Sequence, residues 1–208
     1  MSRCLLSPIF LMSLALAGCV QYEEHVSLLP DGSGTIRVVL SGPASLSLGD
    51  DHPFAPETPE ELAAELTKRY IREGVRLIEH DVREHDGVKT LDFTLEFRQL
   101  TDLNRANPYF GKWRFTTERR GAALHVERDL DWDSSAWNET ESGFERWVKE
   151  ELADRLLNKI RLRFEFTFPE RVTETNAEWV RMGKTAVWSY RLSDLLGCGT
   201  TRLMATGQ

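Results

Sequence analysis

Apolar and polar residues alternate along most of this chain, and the alternation starts almost at Cys19. Val20, Tyr22, Val26 and Leu28 keep one phase. Val26–Leu28 and Ile36–Leu40 flank "LPDGSGT", a hairpin turn signal. Val75–Glu84 and Val88–Leu100 flank "HDG". In the second arm Leu91, Phe93, Leu95 and Phe97 alternate with Asp92, Thr94, Glu96 and Arg98, the pattern of a half-buried strand. Lys112–Glu118 and Ala122–Trp132 make a third pair around "RRG". The clearest strand is Ile160–Phe168, where Ile160, Leu162, Phe164, Phe166 and Phe168 alternate with Arg161, Arg163, Glu165 and Thr167. Short strands at Arg171–Thr175, Glu178–Met182 and Lys184–Leu192 follow, and the chain is expected to fray after Gly197.

Two stretches change period. Leu62, Leu66 and Tyr70, with Ala63 and Ile71, lie along one helical stripe. Thr58 and Glu61 form a capping box before it, Pro59 suits the first helical position, and Gly74 stops it. Phe144, Trp147, Val148, Leu152 and Leu156 form a second stripe behind a Ser142/Glu145 capping box. The element order is ββ-α-ββ-ββ-α-βββ. Hairpins imply antiparallel neighbours, because parallel strands need long crossovers. The expected fold class is therefore α+β, an antiparallel sheet built from hairpins with two amphipathic helices packed on it. Ile160–Phe168 should be an inner strand facing the Phe144/Trp147/Leu152 stripe.

Residues 1–18 break the pattern altogether. Arg3 is their only charge, Cys4 to Ala17 is an apolar run, and Leu16-Ala17-Gly18-Cys19 closes it. Such a segment is a secretory signal, too short to span a bilayer. Its ending resembles the lipobox of bacterial lipoproteins, which implies cleavage before Cys19 and acylation of the Cys19 thiol. Two or three acyl chains make a stable membrane anchor. The expected division is a cleaved lipoprotein signal peptide at 1–18, one α+β domain at 19–197 and a frayed tail at 198–208. No Ser/Gly-rich tether separates Cys19 from the first strand, so the domain should sit close to the headgroups. Val20 after the cysteine, in place of Asp, points to the outer membrane in a Gram-negative host.

Net charge is −7, and losing Arg3 makes the mature chain one unit more negative. An acidic chain is a poor nucleic-acid binder. Cys4 leaves with the signal and Cys19 carries lipid, so Cys198 has no intrachain partner and stability must come from packing. Asp129, Asp131 and Asp133 invite comparison with a calcium loop, but Ser134 stands where the turn glycine belongs and Thr140 where the bidentate glutamate belongs. Alternation explains them better, with Leu130 and Trp132 inward and the aspartates in water. His25, His52, His80, His85 and His125 show no metal-ligand spacing. Hydrolase and phosphate-loop motifs are absent. Glu23-Glu24 and Asp50-Asp51 are expected on a solvated face. Trp147 and Trp188 with Tyr190 are expected in the core, while Trp113, Trp132 and Trp137 have no firm placement. No catalytic residue, metal site or cofactor is expected.

"FTFPERVTETNAEWVRMGKTAVWSY" resembles the LppM-like lipoprotein domain, through Phe168-Pro169, Val172, Asn176 and Trp188, with "PDGSGT" soon after Cys19. The chain has Glu170 and Ala177 where that family often has glycine. The resemblance implies an envelope-anchored α+β domain, with lipid binding suggested for some members and no catalytic residues. The leading functional expectation is a non-catalytic envelope lipoprotein binding a lipid, glycolipid or other apolar ligand. The alternative is a protein–protein assembly module of the envelope, and the third reading is an enzyme with an unrecognised site. An apolar cavity would favour the first, an exposed edge strand or apolar patch the second, and carboxylates with raised pKa in a cleft the third.

Overall fold

The computed structural model describes residues 20–44, 54–108, 112–131, 158–195 and 199–208. The expectations for the signal, Cys19, the helix at 142–156, Trp132, Asp133, Trp137, Trp147 and Cys198 lie outside the described residues, as does the side chain of Asp131.

Hairpins form where the turn residues favour them. β1 (Gln21–Leu28) and β2 (Gly34–Pro43) pair antiparallel from Gln21↔Ser41 to Leu28↔Gly34. Their turn closes with Leu29 N–H donating to the Ser33 carbonyl at 2.8 Å, and Asp31 accepts from Ser33 N–H at 3.0 Å. A side chain at Gly34 would run into the Ser27 carbonyl and the Phe97 ring, so glycine sets the spacing there. β3 (Val75–His85) and β4 (Val88–Phe97) join over Asp86 and Gly87, both with left-handed backbone. β5 (Phe115–Arg120) pairs with β6 (Ala123–Asp131). β7 (Arg161–Thr167) and β8 (Val172–Thr175) precede a last hairpin, β9 (Trp179–Arg181) and β10 (Thr185–Arg191). Helix α1 (Pro59–Tyr70) is capped by Thr58, whose hydroxyl accepts from Glu61 N–H at 3.2 Å, and it buries Leu62, Leu66 and Tyr70. The Glu61 carboxylate reaches Glu57 N–H, one residue short of the reciprocal box contact.

Among the described residues the strands divide into two sheets, where one was expected. The larger has the order β3-β4-β2-β1-β7-β10-β9, and the smaller β5-β6-β11-β8, with β11 spanning Thr200–Gly207. The antiparallel expectation is corrected at one place: β1 and β7 run parallel, Gln21↔Arg161 to Ser27↔Thr167. Parallel neighbours need a long connection, and β2 to β6 lie within it. After residue 158 the four strands read from the sequence are all present as β7 to β10, and the expected order, which ended in three strands, is corrected by these four and by a fifth, β11. A short helix, α2 (Leu192–Leu195), separates β10 from β11. The frayed tail is corrected too, since β11 is an inner strand, paired with β6 from Thr200↔Asp131 to Gly207↔Leu124 and with β8 on its other side. Leu203 and Ala205 point into the core and are buried, which is what holds this end of the chain.

Inward-phase residues of both sheets share one core. Tyr22, Val26, Phe93, Phe164, Phe166 and Trp188 come from the large sheet, and Phe115, Val126 and Leu203 from the small one. Trp188 stands edge-on to Phe166 at 5.0 Å, and Tyr70 brings α1 within 5.2 Å of both Phe93 and Trp113. Phe164 contacts Tyr22 and Tyr190, with ring centroids 6.2 and 6.5 Å away. The inner-strand expectation for β7 holds, since β1 and β10 flank it.

Candidate functional site: the outer face of the large sheet

The outward-phase residues of the large sheet line up in four cross-strand rows. The row nearest the β1–β2 and β9–β10 turns holds Arg181, Thr167, Ser27, Glu96 and Arg76. Next come Trp179, Val187, Glu165, His25, Arg37 and Glu79, then Arg163, Glu23, Asp92 and Asp81. The row at the start of β1 holds Arg191, Arg161, Gln21, Ser41, Thr90 and Arg83.

Charge concentrates around Glu165, which is 1% exposed although it faces outward. His25 Nδ1 lies 2.8 Å from one carboxylate oxygen, Arg181 donates to the same oxygen at 2.6 Å, and Arg163 holds the other at 2.6 Å. Burial alone would raise the Glu165 carboxyl, but hydrogen bonds and charge from His25 and Arg163 outweigh it and hold the group at about 2. The same contacts work in reverse on His25, whose hydrogen bonds to Glu165 and then Glu23 hold it at about 9. The Arg163 guanidinium also lies 6.0 Å from the Trp179 ring.

A second polar cluster is sealed between the sheets. Glu24 and Arg128 pair, each nearly fully buried. The other Glu24 oxygen accepts from Tyr22 hydroxyl at 2.7 Å and Trp113 indole N–H at 3.0 Å. Arg128 lies between the Phe115 and Phe164 rings, 5.2 and 4.9 Å from their centroids. Burial lowers the Arg128 guanidinium and raises the Tyr22 phenol. The expectation that Glu24 lies on a solvated face is corrected: Glu24 shares the inward phase of Tyr22 and Val26, and Glu23 alone faces out.

An open cleft of about 590 Å³ lies at the β1–β2 turn, walled by Leu29, Val75 and Phe97 and by Asp31, Arg76 and Arg98. At the same end of the sheet, on the other side of β7, the β9–β10 hairpin exposes Trp179, Val180 and Met182, the last 92% exposed. His80 and His85 are exposed, as expected for the β3–β4 hairpin. His125 is buried and bonds Thr206 Oγ1 at 2.8 Å. Asp129 pairs with Arg202 at 2.7 Å. Among the described residues no group of His, Cys, Asp or Glu has metal-site geometry, and no helix is long and apolar enough to cross a membrane.

No protein-family model matches the chain, and no curated protein matches it. Among solved structures it is similar to the folded domain of LppM from Mycobacterium tuberculosis, determined by NMR. The two share 13% identity over 92% of this chain and 91% of that one, with a TM-score of 0.46.

The residues that carry the sequence resemblance have structural work in this fold. Asn176 sits where the chain leaves β8 for β9, and its side-chain oxygen accepts from Met204 N–H at 2.8 Å and Trp188 indole N–H at 3.1 Å. Its amide nitrogen donates to the Arg202 carbonyl at 2.8 Å. One side chain thus ties the two sheets at a corner. Phe168 packs so closely over Gly207 that a side chain there would overlap its ring. Sequence reasoning singled out Asn176 and Trp188 but missed the Glu165 cluster, of which β7 alone shows only the charged outward phase of Arg161, Arg163 and Glu165.

Proposed function

We propose that this chain is a lipid-anchored envelope protein, non-catalytic, that presents a rigid two-sheet domain to a protein partner through the β9–β10 hairpin. The observation that carries the reading is the exposure of Trp179, Val180 and Met182 on the short edge strand and its turn. The other edge of the same sheet, β3, is guarded by a bulge at Ile78 and by Glu79, Asp81, Arg83 and Glu84. β9 has a tryptophan and a valine on its two faces instead. The partner that fits is an extended polypeptide whose apolar side chains meet them on alternate sides.

The lipidation signal at Leu16–Cys19 supplies the anchor in this reading. β1 runs away from Cys19, and the row containing Arg181 lies six residues along it, so the hairpin stands about 20 Å from the anchored end. Two features favour this over the ligand-binding reading. Among the described residues, aromatic rings and a buried ion pair pack between the sheets, and the cleft carries four charged side chains. The non-catalytic reading draws on the Glu165 cluster. A carboxyl held at about 2 and an imidazole held at about 9 sit far from the range useful to a general acid or base near neutrality.

Photocrosslinking in cells tests the reading. A photoreactive residue at Met182 should give one discrete protein adduct, and the same residue at Glu118 on β5 none. Adducts of equal yield at both positions, or none at Met182, would refute it. Native mass spectrometry of the gently extracted protein then decides for a bound lipid instead.

A further inference from the structure

Covalent geometry places an acylated Cys19 at one end of the large sheet. Neighbouring Cα atoms are about 3.8 Å apart, and Val20 is fixed: its side chain is buried and its carbonyl accepts from Arg161 N–H at 2.9 Å. β1 is the central strand of the sheet, flanked by β2 and β7, so the anchor has no hinge at the fold's side. Whatever stands beside Gln21 must therefore stand at the membrane.

Beside Gln21 stand Arg161 and, next to it, Arg191. They oppose each other across an antiparallel pair, a like-charge placement that costs stability unless something neutralises it. Elsewhere on this face basic residues meet acids: Arg37 with Asp92 at 2.5 Å, Arg76 with Glu96 at 2.8 Å, Arg163 and Arg181 with Glu165. Each of those three rows contains a carboxylate, whereas the row at the anchor contains Arg191, Arg161 and Arg83 and no acid. Arg83 turns to Asp81 of the neighbouring row. Lys159, two residues before Arg161, is exposed at the same end, as are Val88 and His85 at the β3–β4 turn. Among the described residues, the acids at this end include Glu84 and Asp86 in that turn, Glu57, which pairs with Lys89, and Asp194 on α2. Among the described residues, Lys159, Arg161 and Arg191 have no salt bridge.

We infer that this end of the sheet is a lipid-contact surface, in which Lys159, Arg161 and Arg191 hold the phosphates of anionic headgroups beside the acylated cysteine. This rests on the Cys19 anchor of the proposed function. Guanidinium groups suit phosphate because they donate in pairs, and the attraction acts within a Debye length of the surface, a distance the missing tether enforces. The acyl chains hold the protein on the membrane; the cations set how it stands there, with the β9–β10 hairpin pointing away.

The test uses the full chain, processed and lipidated by the producing cell. His85→Cys and Met182→Cys, each in a Cys198→Ser chain, are labelled with a fluorophore and reconstituted in phosphatidylcholine vesicles with or without phosphatidylglycerol. A headgroup-borne quencher should quench the label at 85 several-fold more than the label at 182. Phosphatidylglycerol should increase quenching at 85 about twofold, and high salt should remove that increase. Combined Lys159→Gln, Arg161→Gln and Arg191→Gln should abolish the increase without salt. Equal quenching at both positions, or an increase that survives salt, would overturn the inference whether or not the triple variant folds. The mass of the N-terminal peptide separates the two ideas: an unacylated Cys19 refutes the anchor itself, while an acylated chain indifferent to phosphatidylglycerol refutes only this surface.

Discussion

Glu24 occupies a position that the alternation of β1 reserves for an apolar side chain, and Arg128 does the same on β6. Two opposite charges, each buried, face each other across the core with Tyr22 and Trp113 donating to the carboxylate. Arg128 Nε has no hydrogen-bond partner among the described residues. Removing one member strands the other, so Arg128→Met should cost about 3–5 kcal/mol in urea unfolding, and adding Glu24→Gln should recover much of that. A double variant no more stable than Arg128→Met would show that the pair is uncoupled. On the outer face, His25 is held at about 9 against its ordinary 6.5, so protonation favours the folded state. That stabilisation is full below pH 6.5 and fades as pH rises through about 9. Glu165, at about 2 against an ordinary 4.5, acts the other way: its share is present above pH 4.5 and lost as pH falls through about 2. The gap in urea midpoint between the native chain and His25→Asn should be widest between pH 4.5 and 6.5 and close towards pH 10. A gap constant across that range would disprove the ion network. Period-two phase already separates Glu24 from Glu23 in the sequence; what it lacks is any sign that Arg128, far along the chain, is the partner.

At the scale of the element, β7 shows what alternation conveys. Phe164 is buried beside Tyr22, Tyr190 and the Arg128 guanidinium, so Phe164→Ala should cost about 3–5 kcal/mol. Arg163→Ala leaves Glu165 with His25 and Arg181 and should cost less than about 1 kcal/mol. Denaturant melts of the two variants check the contrast, and equal losses would contradict the assignment of faces. The hairpins were legible because their turns are local: Asp31–Ser33, Asp86-Gly87 and Gly121 each fix one from a few residues. The parallel pairing of β1 with β7 was not, because no nearby residue encodes which distant strand fills the open side of β1. The Glu165 cluster was illegible for the same cause, since it assembles only when β1, β7 and β9 are brought into register.

For the whole molecule, the last strand is the unexpected part. Its sequence, "TTRLMATG", carries only Leu203 and Ala205 inward, too weak a signal beside glycines. It nevertheless joins β6 to β8 within the small sheet, and Gln208 N–H still donates to the Arg171 carbonyl at 3.1 Å. Ending the chain after Gly199 should therefore abolish cooperative unfolding, read as loss of near-ultraviolet circular dichroism; a truncated chain with a native melt would make β11 dispensable. β1, the first strand made, likewise lacks its β7 neighbour until most of the chain exists. Pairings of such long sequence separation raise contact order and slow folding. In the proposed lipid-anchored reading, slow folding suits a polypeptide that must cross a membrane before it compacts, and it leaves a window in which a nascent chain tethered at an acylated Cys19 is open to chaperones and proteases at the bilayer surface.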